Sequence, residues 1–404
     1  MILASLGKGL CPNCMSMEPE LPPGQDTRGT CSHCGGDLYK QNPPQLLPVG
    51  TVLNCGEHSC HLGTVLGQGG FGVTYIGYDP AAGCKVAVKE YFPTRCAQRG
   101  EDGHTVEPLP GMEETYAGGR YSFVKEARVL SELEGMPSVV QALAYVETNN
   151  TAYLIMEYLD GTPLYRMVDP KAGKRIPAEK LLPPLKKLLY DISRLHDKKV
   201  IHRDIAPDNI MWMPDGSLKL LDFGSARSME DGKSMTVMLK HGFAPVEQYQ
   251  SHGQGTYTDV YAMAATIYYC LTAVTPPQST ERMLGGEDLR IKRPTALGVA
   301  LAPEEEDALL WGLEVLPQNR PQTMGEFAQR LFPDLKPLIV QPQPAPQPQS
   351  AYQPRQQGRL WFQYGKEEWR NLGFQERMGS LWPLYLACAL VLLFGIVALA
   401  WLVL

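Results

Sequence analysis

The 404-residue sequence has no basic excess: its net charge is −6 and its pI near 5.8. It therefore lacks the positive face or stripe with which proteins hold a nucleic-acid backbone, and no nucleic acid is expected as a partner. Ten cysteines are too few to staple a secreted scaffold of this length, and four of them stand in two close pairs near the start, which favours a reducing compartment. The first ten residues, interrupted by Gly7 and Gly9, lack the apolar run and small-residue cleavage site of a secretory signal. No repeat of solenoid length is visible. Beyond Leu335, Pro342, Pro344, Pro346 and Pro348 recur at every second position, which offers no PxxP docking peptide and predicts an extended spacer instead.

Charge is also missing from 381–404, a run of 24 residues. At about 1.5 Å per residue such a helix spans the roughly 30 Å hydrocarbon core of a bilayer. Trp382, Tyr385 and Trp401 suit the two interfaces. The expected organisation is a zinc ribbon over 8–40, a catalytic region over 60–333, a Pro/Gln-rich linker over 334–358, a juxtamembrane segment over 359–380 and a transmembrane helix over 381–404. The expected location is a single-pass membrane protein with its large N-terminal part in the cytoplasm. Within the catalytic region, β-branched and aromatic runs come first and helical spacing dominates after about Glu157, so the expected fold class is α+β with two lobes.

Cys11 and Cys14 form a CxxC, sixteen residues intervene, and Cys31 and Cys34 form another. Two such turns can present four thiolates to one tetrahedral ion, and Gly35-Gly36 supplies backbone freedom for the second. The spacing resembles a zinc ribbon holding structural Zn²⁺, set apart as a small separate module; disulfides or a redox-active CxxC are the alternatives. Cys55, His58, Cys60 and His61 form a weaker cluster, because His61 already enters a strand pattern.

Gly67-Gln68-Gly69-Gly70-Phe71-Gly72 lies between two strand patterns, where missing side chains let backbone amides approach phosphates. Since Val73 to Tyr78 continues as a strand rather than a helix, a dinucleotide fold is disfavoured. Lys89 ends the next strand, Val86-Ala87-Val88-Lys89, and Glu126 on a helical run can hold it by an ion pair. His202-Arg203-Asp204 precedes Asn209, and Asp222-Phe223-Gly224 follows an apolar run. Asp204 can accept or orient a hydroxyl proton, while Asn209 and Asp222 can hold Mg²⁺, which suits a reaction governed by alignment and charge neutralisation.

In this order the motifs resemble the Hanks-type serine/threonine protein kinase family from about His61 to Phe332. The resemblance implies a bilobal kinase fold, ATP between the lobes and protein substrates. It also implies that Ala244-Pro245-Val246-Glu247 closes the activation segment with Arg320 as partner of Glu247, and that Asp259 braces the catalytic loop. Three positions depart from the family pattern. Ala206 stands where serine/threonine kinases carry a lysine, with Asp208 where tyrosine kinases carry arginine; Thr74 replaces a valine over adenine; Leu239 replaces a threonine before the closing motif. Lys240 is expected to supply the cation missing at Ala206, and Ser234 or Thr236 to be autophosphorylated and to pair with Arg203. The alternative is a membrane-anchored pseudokinase scaffold that binds nucleotide without catalysis, supported only by Ala206.

Overall fold

The computed structural model describes residues 9–17, 29–55, 58–133, 135–223, 227–228 (backbone only), 239–250, 253–286 and 289–333. The expected linker, juxtamembrane segment and transmembrane helix, together with Ser234 and Thr236, lie outside the described residues. Among the described residues no helix is long and apolar enough to cross a membrane.

The β-rich half is built from β1 (Val52–Cys55), β2 (His58–Gln68), β3 (Gly72–Asp79), β4 (Cys84–Tyr91), a small hairpin of β5 (Ala97–Arg99) and β6 (Val106–Pro108), helix α1 (Glu113–Ser131), β7 (Ala142–Thr148) and β8 (Thr151–Glu157). Its antiparallel sheet runs β1-β2-β3-β4-β8-β7. Strand β8 sits between two others and carries Ala152, Tyr153, Leu154 and Ile155 all buried, so it reads as an unbroken apolar run rather than an alternating one. Asn149 and Asn150 make the two-residue turn between β7 and β8, both with positive φ, where asparagine is better tolerated than most residues. Helix α1 turns Tyr116, Phe123, Val124, Ala127 and Leu130 inward.

The polar interval Thr94 to Gly119 has no role readable from its residues, yet it folds as the β5–β6 hairpin and the start of α1. Arg99 on β5 reaches under the sheet and grips Glu90 of β4 with both terminal nitrogens, at 2.8 and 2.7 Å. Glu90 is fully buried and also accepts from the hydroxyls of Tyr75 (2.9 Å) and Tyr153 (3.0 Å), while the guanidinium lies 4.4 Å from the Phe92 ring centroid. Removing one member of such a pair leaves a charge stranded in an apolar interior. Arg99→Ala is therefore expected to destabilise the domain by about 3–5 kcal/mol, measured as the loss in denaturant unfolding free energy; a loss no larger than that of a surface arginine would contradict the clamp.

The helical half follows with β9 (Thr162–Pro163), α2 (Leu164–Met167), α3 (Ala178–Asp197), β10 (Val200–Ile201), β11 (Ile210–Trp212), β12 (Leu218–Leu220), β13 (Arg227–Ser228), α4 (Thr256–Thr272), α5 (Ser279–Leu284), α6 (Pro303–Gly312) and α7 (Met324–Leu331). Helix α4 is apolar almost all round and buried along nearly its whole length, as expected for the central helix of a lobe. Two short ladders, β9-β11-β12 and β10-β13, carry the connecting loops.

The cysteine-pair segment, which the sequence sets apart as a separate module, instead packs on the sheet. Leu10 and Met15 share an apolar cluster with Val49 and with Ile76 of β3, and the Thr64 N–H donates to the Pro12 carbonyl at 2.8 Å. The stretch between module and sheet is fastened by Asn42, whose amide donates to the Leu47 and Gly63 carbonyls (2.8 and 3.0 Å) and whose side-chain oxygen accepts from Val65 N–H (3.0 Å).

Candidate active site

The glycine motif is divided between the end of β2, the turn 69–71 and the first residue of β3. Gly72 is needed for close packing, because a Cβ there would run into the Glu90 backbone carbonyl. Gly67 and Gly69 are different: neither has positive φ, and a Cβ on either would meet open space. Among the described residues nothing demands glycine at these two positions, which leaves room for something that approaches from outside. Phe71 is exposed at the tip of the turn. Gln68 and Gly70 complete the loop between the two strands.

Strand pairing places Lys89 opposite Thr74 on one side and Leu154 on the other. From there its ammonium reaches Glu126 of α1 at 3.5 Å and Asp222, just after β12, at 2.5 Å. The expected Lys89–Glu126 pair is present but is the longer of the two contacts, and Asp222 takes the closer place. Burial, the largest influence on Lys89, favours loss of its proton, but the two carboxylates outweigh it and the lysine stays charged. Glu126 is pushed up to about 7, by burial first and by the neighbouring Asp222 charge, with Lys89 opposing. One cation thus joins the sheet, helix α1 and the helical lobe.

The loop after β10 carries the second group of residues. Asp259 of α4 is fully buried and accepts the backbone N–H of His202 (2.8 Å) and of Arg203 (2.7 Å), with His196 Nε2 at 2.8 Å from the same carboxylate. Burial opposes its charge, but these partners win and its pKa is lowered. Arg203, held by one of these bonds, is in a left-handed conformation, φ +68°, just before Asp204. The His202 Nε2 faces the Leu221 carbonyl at 2.8 Å, its Nδ1 accepts from the Asp204 N–H at 3.3 Å, and its ring meets Phe223 edge-on at 4.6 Å. A donor on one nitrogen and an acceptor on the other describe a neutral ring, consistent with burial lowering its pKa. The imidazole therefore ties the Asp204 loop to the Asp222 loop.

Asn209 donates from one amide nitrogen to both the backbone carbonyl and the carboxylate of Asp204, each at 2.8 Å. Lys240 reaches the Asp204 carboxylate from the opposite chain segment at 3.1 Å and Asp208 at 2.9 Å. Ala206 is fully buried, and its methyl group carries no charge. Burial is the main reason that Asp204 is raised to about 6, with Lys240 pulling it down and Asp222 and Asp208 adding repulsion. Burial would deprotonate Lys240, but Asp204 and Asp208 keep its pKa raised. Behind this cluster, Glu247 and Arg320 form a buried two-pronged pair at 2.9 and 2.8 Å, with the Thr258 hydroxyl donating to Glu247 at 3.0 Å. A groove of about 360 Å³ opens beside Lys240 between Tyr165, Asp208, Phe243 and Tyr269.

At the other end of the chain, Cys11 Sγ lies 3.8 Å from Cys34 Sγ, and Cys14 Sγ lies 3.7 Å from Cys31 Sγ. All four sulfurs are within 4.8 Å of one another. Disulfides, at about 2.05 Å, do not fit these spacings. A tetrahedron with metal–sulfur bonds of about 2.3 Å has edges of about 3.8 Å, which does fit. Backbone N–H groups of Asn13, His33, Cys34 and Gly36 point at the sulfurs from 3.3 to 3.4 Å, as suits thiolates. Among the described residues this is the one group of metal-ligand character; in the weaker cluster, His58 is engaged by Asp79 at 3.2 Å.

Sequence reasoning missed the Arg99–Glu90 clamp and the closeness of Lys89 to Asp222. For the first the only signal was a charge, Glu90, standing at the buried phase of an apolar strand.

The chain resembles proteins of known class along this same stretch. The family model described as protein kinase domain matches residues 60–293. The serine/threonine-protein kinase pkn2 of Myxococcus xanthus is 30% identical over 220 residues, 52% of this chain and 24% of its own length. Serine/threonine-protein kinase D of Synechocystis is 30% identical over 237 residues, 55% of this chain and 43% of its own. The present chain thus spans less than half the length of these relatives. A solved structure titled PpkA-294 apo form superposes with a TM-score of 0.59 at 32% identity, covering 71% of this chain and 99% of that one. Because the protein kinase domain model matches residues 60–293, more than half of the sequence, the chain belongs to the protein kinase family.

Proposed function

We propose that the protein is an active serine/threonine kinase that transfers the γ-phosphate of ATP to protein hydroxyls. The observation that carries this reading is the Asp204 carboxylate, directly after the residues braced by Asp259, anchored by Asn209 and faced by Lys240. Each part has a task in moving a phosphoryl group, which needs alignment and charge neutralisation more than covalent help. Gly67 to Gly72 form the cover under which phosphates lie, and Lys89, positioned by Glu126, meets their charge. Asp222 and the side-chain oxygen of Asn209 are hard oxygen donors that suit Mg²⁺; when bound, that ion neutralises phosphate charge. Asp204 accepts or orients the proton of the attacking hydroxyl. Lys240 supplies the positive charge that Ala206 cannot.

The reading extends to the parts around the catalytic domain. The four cysteines hold structural zinc, supported by the sulfur spacings given above. The uncharged run 381–404 tethers the chain to a membrane with the kinase on the cytoplasmic side, supported by its length and composition alone. Ser234 and Thr236 are candidate autophosphorylation sites, supported by their place between Asp222 and Glu247 in the sequence.

Incubation with γ-labelled ATP, magnesium and generic protein substrates, followed by mass spectrometry, tests the chemistry. Label on serine and threonine is expected; label only on tyrosine, or released only as inorganic phosphate, would overturn the assignment. The pH dependence is a second check. A carboxylate raised to about 6 by burial must be ionised to accept a proton, so turnover is expected to fall about tenfold per pH unit below about 6. A turnover rate flat between pH 5 and 7 would argue against Asp204 as the acceptor.

A further inference from the structure

The two cysteine turns are copies of each other in their backbone bonding. Cys11 N–H donates to the Ser16 carbonyl and Met15 N–H to the Cys11 carbonyl, both at 2.9 Å. In the second turn Cys31 N–H donates to the Gly36 carbonyl at 2.8 Å and Gly35 N–H to the Cys31 carbonyl at 2.9 Å. The fifth residue of each turn is left-handed, with φ +67° at Gly35 and +54° at Met15. Glycine adopts that conformation freely, whereas an unbranched apolar side chain is strained there. The first turn thus carries a methionine where its twin carries the residue the geometry prefers.

What Met15 does explains its presence. It is buried, 2% exposed, in a socket formed by Leu10, Val49 and Ile76, with Tyr78 and Tyr158 at the margin. Its terminal methyl fills the place where a Cβ on Gly63 would stand. Gly63 belongs to β2, four residues before Gly67, and Ile76 to β3, so each of the two strands that carry the glycine loop contributes a residue against Met15. Tyr158 directly follows β8, where the chain leaves the sheet for the helical lobe. The Thr64–Pro12 bond fixes the turn to the neighbouring residue of β2.

We propose that the four cysteines form a metal-dependent control site for nucleotide binding, with Met15 as its coupling element. A thiophilic divalent cation, zinc by its four sulfurs, holds the first turn in the strained shape that presses Met15 against β2 and β3. Loss of the metal releases the strain, withdraws Met15 and loosens the strands beneath the glycine loop. This rests on reading the cysteines as a metal site and the glycine loop as a nucleotide site. Because coupling between two binding sites is reciprocal, bound nucleotide must tighten metal retention by the same factor by which metal tightens nucleotide.

The test uses the full chain and a fluorescent ADP analogue at fixed excess magnesium, with zinc content read by native mass spectrometry. Removing zinc with a zinc-selective chelator is expected to weaken nucleotide binding about 5–50-fold, and nucleotide to slow zinc removal correspondingly. Met15→Gly, which suits the left-handed turn but empties the socket, is expected to retain one zinc and to bind nucleotide as weakly as the chelated wild type. It also decides the matter if the chelated chain unfolds. A chain that binds no thiophilic metal overturns the proposal, as does Met15→Gly holding zinc with wild-type nucleotide affinity. Nucleotide binding that responds to zinc in a chain unable to transfer phosphate would count against the kinase reading alone.

Discussion

Asp204→Asn is expected to lower turnover by about 10²–10⁴-fold, the contribution typical of a positioned general base, while nucleotide affinity changes little. The substitution is nearly isosteric and keeps the oxygen that can accept from Asn209, so the loop held by Asp259 has no reason to move. What it removes is the negative charge on a carboxylate in contact with both Asn209 and Lys240. Loss of turnover with unchanged nucleotide affinity therefore isolates the proton-accepting role. An equal fall in both would mean that Asp204 holds the site together instead. The acidic fall in rate expected of the wild type should also vanish from the residual activity.

Lys240→Met carries the second large effect, an expected fall in turnover of about 10²–10³-fold with ATP affinity kept within about threefold. Lys240 touches Asp204 and Asp208, and the groups that grip nucleotide in this reading, Lys89 and the glycine loop, lie elsewhere. Its charge is asked to neutralise the phosphate only as that phosphate moves, which puts the effect in turnover. A second signature follows from electrostatics. Lys240 lowers the Asp204 pKa, so its removal must raise that pKa further and move the acidic limb of the rate profile to higher pH. Lys240→Arg should keep the limb near its wild-type position. Wild-type turnover in Lys240→Met would contradict this role and leave the missing charge at Ala206 unexplained.

The legible part of this protein was the part whose chemistry is written in short range. Lys89 at the end of an apolar strand, Asp204 after His202-Arg203 and Asp222 before Phe223 each sit in a stretch whose neighbours announce them. The sheet and the helical lobe were readable from the change in apolar spacing near Glu157. Helix α1 starts at Glu113, and its first turns hold Gly118 and Gly119, poor helix formers that weaken the local signal, although Gly119 leaves room for Tyr91. Long-range partnerships stayed hidden: nothing near Arg99 marks Glu90 as its mate, and the Lys89–Asp222 contact joins residues far apart in the sequence. The docking of the cysteine turns was hidden for another reason. Met15 looks like any apolar residue after a CxxC until its left-handed φ and the glycine opposite it are seen together.

The central claim is tested most directly by mixing catalytic amounts of the full wild-type chain with excess Asp204→Asn chain, γ-labelled ATP and magnesium, and following label on the variant. Steady accumulation of phosphoserine or phosphothreonine on the variant, absent when wild type is omitted, is the predicted result. Label appearing at the same rate with and without wild type, or not at all although both chains bind nucleotide, would contradict it.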